Sequence, residues 1–420
     1  MTAEIAIANL SAIAMAADSA VTIGGQKIYN SALKLFSLSK VAPVGTMVYG
    51  NAALIDVPWE TLIKSHRKWL GSSLHEKLDG YSDSFLTFLR TNLEFFPEAS
   101  QQRWLEYNVG SCFVEIRNKL LEELRSASRQ HSPITLKEVI DMLSRIVKTY
   151  QYELRQKEFA HGFGEADDKE IKSRYTDIVK RIISDIFEEV KVPTSTVAAL
   201  CDIASFIHTR DVPTPGSSGL VIAGYGESEP FPVVNTYDID GMILDKLKYR
   251  VNHEKSHVIS ATDPCAIIPF AQGDMVATFM DGINPELTRF VHGYLGQVFA
   301  RLPELIGDQD SRSTDLFKTN TQKLLEDFLM KFHDFQAQYQ SMPVVRMVKV
   351  LPKDELAAMA EALVNLTAFK RRITESIETV GGPIDVAVIS KGDGLVWVKR
   401  KHYFPPELNQ HFFANYFRGI

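Results

Sequence analysis

The sequence predicts a layered α/β fold, because strand-like segments at both ends of the chain enclose a long helical middle. Residues 3–24 and 384–401 alternate large and small apolar side chains at period two, as half-buried strands do. Between them run apolar stripes at helical spacing. Strands so far apart in sequence share one sheet system only if the intervening helices pack on its outer faces. Apolar alternation on both strand sets fits two stacked sheets.

Each element follows from local pattern. Residues 3–24 form a hairpin turning at Asn9-Leu10-Ser11, with Ile5 and Ile7, then Ile13 and Met15, alternating with smaller residues. Lys34–Ser39 and Thr46–Ala52 form a second pair, with Pro43 and Gly45 in the turn. A helix follows, with Asp56 as N-cap and Trp59, Leu62, Ile63, His66, Trp69 and Leu70 on one face. Residues 80–210 are helical throughout; the clearest stripe is Ile171, Tyr175, Ile178, Val179, Ile182, Ile183, Ile186, Phe187 and Val190, closed by Pro193. The loop Pro213–Gly219 marks re-entry into sheet, through Leu220–Tyr225, Phe231–Tyr237, Leu247–Val251 and Val258–Ser260. Residues 273–380 return to helix, and a last hairpin, Ile384–Ser390 and Leu395–Lys401, turns at Gly392-Asp393-Gly394. No internal repeat or low-complexity segment occurs. The expected organisation is one domain over 1–404, built from 1–72, 216–282 and 381–404 with packing helices 283–380. A helical insertion, 73–215, and a tail, 405–420, complete it.

Composition narrows the function. With 420 residues, 45% of them hydrophobic, the chain is long enough to bury a large core. A net charge of −6 opposes nucleic-acid binding, which needs a basic surface. Cys112, Cys201 and Cys265 are odd in number and widely spaced, neither a disulfide framework nor a CxxC metal site, so a reducing, cytoplasmic compartment is expected. The apolar first twenty residues carry Ala14-Met15-Ala16, which mimics a signal cleavage site. No Lys or Arg precedes Lys27, however, and Glu4 and Asn9 interrupt the apolar run, so strands are preferred over a secretory signal. No apolar stretch reaches transmembrane length.

Three candidate site residues fall in the first fifty positions. Thr2 follows the initiator Met directly, and Met is removed when the next side chain is small. The freed α-amine, titrating near about pH 8, can accept the proton of the adjacent hydroxyl, so Thr2 would be nucleophile and base in one residue. Asp18 ends the second strand. Lys34 stands between Leu33 and Leu35; near Thr2 its ammonium would lower the pKa of both amine and hydroxyl, with Asp18 holding it in place. The bland alternatives are a turn residue for Asp18 and a solvated lysine for Lys34.

Thr2, Asp18 with Thr22, and Lys34 together resemble the proteasome β-subunit family, in particular its bacterial two-tier relative, the HslV peptidase. The pattern lies on this chain without a gap. Gly50, in Tyr49-Gly50-Asn51-Ala52, falls where the family's glycine offers its backbone N–H to an oxyanion. The likeness resumes at Gly219–Gly241 and in the closing PIDVAVISKGDGLVWVKRK. The resemblance implies an αββα N-terminal-nucleophile (Ntn) hydrolase sandwich, here with a long helical insertion, and a threonine-type peptidase without a cofactor. It also implies peptide or protein substrates, homo-oligomeric assembly and a possible partner ATPase. The chain departs from the family where a Gly-Ser-Gly turn supports the threonine amine, reading Phe270-Ala271-Gln272-Gly273 instead. The family's later Asp and Ser fall near Ile377 and Val380, with Glu378 adjacent. Those losses open an alternative, a catalytically silent scaffold of the same fold.

A third reading comes from His253-Glu254-Lys255-Ser256-His257, which matches the HExxH zinc-hydrolase signature. That chemistry needs both imidazoles on one helical face, yet strand-like segments flank the motif and no third ligand is evident. Gly381-Gly382-Pro383 lacks the Lys-Ser/Thr of a phosphate loop, and nothing suggests a nucleotide or organic cofactor.

Overall fold

Alanine dominates the first hairpin, and that choice sets how closely the layers approach. The computed structural model describes residues 3–23, 27–129, 134–188, 190–306, 311–374 and 381–417. Its N-terminal strands are β1 (Glu4–Asn9), β2 (Ile13–Ala17), β3 (Val21–Ile23), β4 (Lys27–Tyr29), β5 (Leu35–Ser37), β6 (Val44–Gly50), β7 (Ala53–Leu54) and β8 (Val57–Pro58). Six helices follow: α1 (Trp59–Leu70), α2 (Leu78–Thr91), α3 (Glu98–Ser128), α4 (Leu136–Arg155), α5 (Glu165–Ile186) and α6 (Thr194–Thr209). Then come β9 (Ser218–Gly224), β10 (Val233–Ile243), β11 (Lys246–Val251), β12 (His257–Val258) and β13 (Cys265–Pro269). The helices α7 (Asp274–Asp281), α8 (Pro285–Ile306), α9 (Ser311–Gln336), α10 (Met342–Val348) and α11 (Lys353–Ile373) precede β14 (Asp385–Ser390), β15 (Gly394–Lys399) and α12 (Gln410–Phe417).

The first sheet runs β13-β1-β2-β14-β15, so strands from the two chain ends lie side by side, with Val388 opposite Ala14. The second runs β11-β10-β9-β6-β5, with β12 also on β10. All pairings are antiparallel. The inner faces meet in one apolar layer: Ala6, Ala8, Ile13, Met15, Ala387 and Ile389 from the first sheet against Leu35, Met47, Val221, Ala223 and Val234 from the second. A Cβ on Gly45 of β6 would stand 2.9 Å from Ile389 Cδ1, so any larger residue there would force the facing side chains of the first sheet to shift. The outer face of the first sheet, through Ala3, Ile5, Ile7, Ala14 and Ala16, is covered by α7, α10 and α11. That of the second, through Phe36, Val44, Val48, Leu220 and Ile222, is covered by α1–α6. The result is a four-layer, mixed α/β architecture.

Several local expectations need correction. Asp56 does not cap α1. Ile55 and Asp56, at φ 45° and 66°, are the two central residues of the tight β7–β8 hairpin, and the helix starts behind Pro58. Asp56 pairs with Arg103 at 2.9 Å. Trp69 leaves the buried face of α1: it is 54% exposed and tilts against Phe88 at the rim. Pro193 does not close α5, which ends at Ile186 and is followed by Phe187; Pro193 instead precedes α6. The second strand of that half, β10, is longer than expected because a bulge between Ile239 and Gly241 lets it keep pairing with β11. Neither β13 nor the small β3–β4 ribbon was anticipated. Cys265–Pro269 mixes Cys and Pro with its aliphatics and reads weakly as strand, yet it pairs along β1.

Candidate active site

The N-terminal ends of β1 and β5 and the C-terminal end of β2 meet at one edge of the stacked sheets. Asp18, directly after β2, is fully buried. Its Oδ1 accepts the Ala3 N–H at 3.1 Å, and its Oδ2 accepts those of Ala20 at 3.2 Å and Gly381 at 3.0 Å. Backbone donors thus fix the carboxylate before any side chain reaches it. Lys34 then brings its ammonium to Asp18 Oδ1 at 2.5 Å. The lysine is only 6% exposed, and its carbonyl is tied by the Val48 N–H at 2.9 Å. The structure therefore joins Asp18 and Lys34 and rules out the solvated-lysine alternative.

A second carboxylate enters from β1. Glu4 Oε1 lies 3.3 Å from Lys34 Nζ, and the Glu4 side chain has no exposed surface. Burying an ion inside an apolar sandwich costs several kcal/mol unless it is paired, and here Lys34 is drawn between two acids. Sequence reading passed over Glu4 except as an interruption of the apolar run. The signal was present: it is the one charged residue in a strand otherwise made of Ala, Ile and Asn9.

Gly50 closes β6 at φ +85°, a left-handed conformation in which a Cβ would stand 2.9 Å from the Ser217 carbonyl oxygen. Alternation along β6 turns the Gly50 N–H toward the same side as that of Val48, the side of Lys34. Lys34 and Gly50 line one cavity of about 180 Å³, together with Val21, Asn51, Trp59 and Glu60. Thr2 lies outside the described residues, as do Ile377, Glu378 and Val380.

The surroundings are more highly charged than the sequence suggested. The Tyr49 hydroxyl donates to Asp238 at 3.4 Å, and burial, aided by Asp238, raises the phenol pKa well above its usual value. Lys255 sits 4.9 Å from the centre of the Tyr49 ring and donates to the Phe270 carbonyl, while burial pulls its own pKa down. On the other side Lys401 pairs with buried Asp385 at 2.7 Å; burial lowers the lysine pKa and Asp385 partly restores it. Phe270 and Gln272, in the place of the family's supporting turn, hold structure instead. The Phe270 N–H donates to the Glu4 carbonyl at 3.0 Å, and Gln272 accepts from Arg371 at 2.7 Å.

The HExxH segment is a turn between β11 and β12, not a helix. Asn252 organises it, accepting the Lys255 N–H at 3.1 Å and the Ser256 hydroxyl at 2.8 Å. His257 pairs with Asp263 at 3.1 Å. The imidazoles thus lack the common helical face that zinc binding by this motif requires, and among the described residues no three His, Cys, Asp or Glu side chains converge. Also among the described residues, no helix is long and apolar enough to cross a membrane.

No protein-family model matches this chain, and no curated protein is significantly similar to it, so the chemistry of this edge carries the functional reading.

Proposed function

We propose that the protein is a threonine-type Ntn amide hydrolase, a proteasome-like peptidase whose nucleophile is Thr2 after Met1 removal. The observation that supports it most is the buried ammonium of Lys34, clamped by Asp18 beside Gly50 at the end of the sandwich where β1 begins. A surface lysine needs no such clamp. A lysine that must stay charged next to an amine does, because the ammonium disfavours protonation of that amine and leaves it free to act as base.

In this mechanism the Thr2 hydroxyl oxygen attacks the substrate carbonyl carbon while the Thr2 amine takes the hydroxyl proton. The Gly50 N–H faces the developing oxyanion. Collapse of the tetrahedral intermediate breaks the C–N bond, and the proton passes from the Thr2 ammonium to the departing amine. Water, deprotonated by the same amine, then cleaves the acyl ester and restores Thr2.

The silent-scaffold reading draws on a specific observation, the engagement of Phe270 and Gln272 in structural contacts where the family carries a supporting serine. Intact-mass measurement after exposure to a threonine-directed β-lactone separates the two readings. The peptidase acquires one adduct, located at Thr2, which Thr2→Ala and a non-cleavable N-terminal extension both abolish, while Thr2→Ser retains part of it. An unlabelled wild-type protein, or full labelling with the extension in place, would defeat the peptidase reading.

A further inference from the structure

The cavity beside Lys34 and Gly50 shares two of its walls with a larger one. Leu33 and Glu60 also line a second cavity, of about 320 Å³, whose remaining apolar walls come from the end of the chain: Pro383, Tyr403, Phe404 and Phe412. The root of that wall is fixed to the site. Lys401, just past β15, holds buried Asp385 through its backbone N–H at 2.8 Å and its ammonium at 2.7 Å. The Pro383 carbonyl accepts the hydroxyl of Ser19, next to Asp18. A short turn of helix, Pro406–Leu408, then leads into α12, and the rings meet edge to face. Phe404 lies 4.9 Å from Tyr403 at 87° and 4.9 Å from Phe412 at 65°.

The charged groups around this cavity already have partners. Lys64 pairs with Glu60, Lys401 with Asp385, and the Arg400 guanidinium lies 4.0 Å over the Trp397 ring. What the cavity offers an occupant is therefore ring and aliphatic surface. Its volume is at the lower end of the range of about 300–1,000 Å³ typical of ligand pockets, which suits one bulky side chain rather than a whole cofactor. Tyr403, 90% exposed, keeps its ring in water at the rim, where an apolar occupant would cover it.

We propose that this second cavity is the subsite for an aromatic side chain of the substrate, beside the bond that is cleaved, with Phe404 and Phe412 as the rings that select it. The substrate role rests on the peptidase reading of the neighbouring cavity; the binding of an aromatic side chain can be tested without it. The segment after β15 thus belongs to the recognition surface rather than being an appendage.

The test uses the full-length protein and a non-reactive probe, N-acetylphenylalanine amide carrying a photoactivatable diazirine on its ring. Crosslinks mapped by peptide mass spectrometry should fall around Phe404 and Phe412 and around Leu33. Plain N-acetylphenylalanine amide should compete them away, and N-acetylalanine amide should not. Phe404→Ala and Phe412→Ala should raise the concentration needed for competition on the order of tenfold or more, as expected when a buried aromatic contact is lost. Phe404→Leu, which keeps apolar bulk without the ring, should raise it by less, and decides the matter if the alanine variants do not fold. Crosslinks elsewhere, equal competition by both amides, or competition that none of the variants alters would each overturn the proposal. Two β-lactones, one with a benzyl and one with a methyl side chain, keep the two ideas apart. Labelling by both at equal rates, without crosslinks at the aromatic wall, defeats only the subsite. Crosslinks at that wall without labelling by either lactone defeat only the nucleophile.

Discussion

At the scale of single residues, the ammonium of Lys34 is the hinge of the site. It is shared by Asp18 and Glu4, both buried, so removing it takes the nearest counter-charge away from two acids in an apolar sandwich. Lys34→Met should cost about 3–5 kcal/mol of stability, read as a lowered midpoint in urea unfolding. The fraction that still folds should react with the β-lactone at least about a hundredfold more slowly, as expected for a site electrostatic group. His66 offers a second test away from the site. It is fully buried on α1 between Phe85 and Phe88, and burial, with a smaller contribution from His75, lowers its pKa to about 4. The neutral imidazole is the folded form, and the unfolded chain takes up its proton first, near about pH 6.5. Stability from this residue is therefore complete above that pH and is lost as pH falls toward about 4. Thermal unfolding measured across this window should show the fall, and His66→Leu should flatten part of it; an unchanged slope would count against the buried neutral form.

At the scale of elements, small side chains in β1 and β2 let a helix lie close on one face and a sheet close on the other. Ala14 of β2 shares its layer with Ala357 and Ala360 of α11. Ala14→Leu should cost about 1–3 kcal/mol by overpacking, seen as a lower melting temperature. Were α11 only loosely docked, the larger side chain would be neutral or stabilising. The alternation that makes these strands legible is unmistakable in Ile5, Ile7, Ile13 and Met15. By contrast, β13 carries no such signature and takes its place through pairing with β1. Helix ends were less legible than helix bodies, because Asp56 and Pro193 are end signals of ordinary strength that a tight hairpin and a separate helix, respectively, claimed for themselves.

At the scale of the whole molecule, β14 fills the space between β2 and β15, so the first sheet is not complete until the end of the chain is present. A chain ending at residue 380 would expose the open edge of β2 and lose Val386, Val388 and Ile389 from two apolar layers. It should be insoluble or rapidly proteolysed throughout, the N-terminal hairpin included. A protease-resistant N-terminal fragment from it would show instead that the sheet closes without β14. The helices α2–α6, read in sequence as an insertion, share one core with β6, β9 and β10. They form the outer layer of the second sheet, and removing them would bare that face.

The sequence by itself determined the alternation of strand and helix, the union of both chain ends in one layered α/β fold, and the choice of Asp18, Lys34 and Gly50 as residues to watch. These are local matters: parity along a strand, spacing along a helix, and a motif with a chemical logic of its own. Only the tertiary structure decided what the charged residues are worth. Lys34 between two leucines reads equally well as solvated or buried until β2 brings Asp18 to it from sixteen positions away. Glu4 looks like an interruption in an apolar strand until β5 places an ammonium beside it. Lys255 belongs to a zinc signature until the turn of Asn252 sends its side chain to Phe270 and Tyr49. Electrostatic meaning depends on distance and burial, and both are set by which strands stack, a property no single segment of the chain contains.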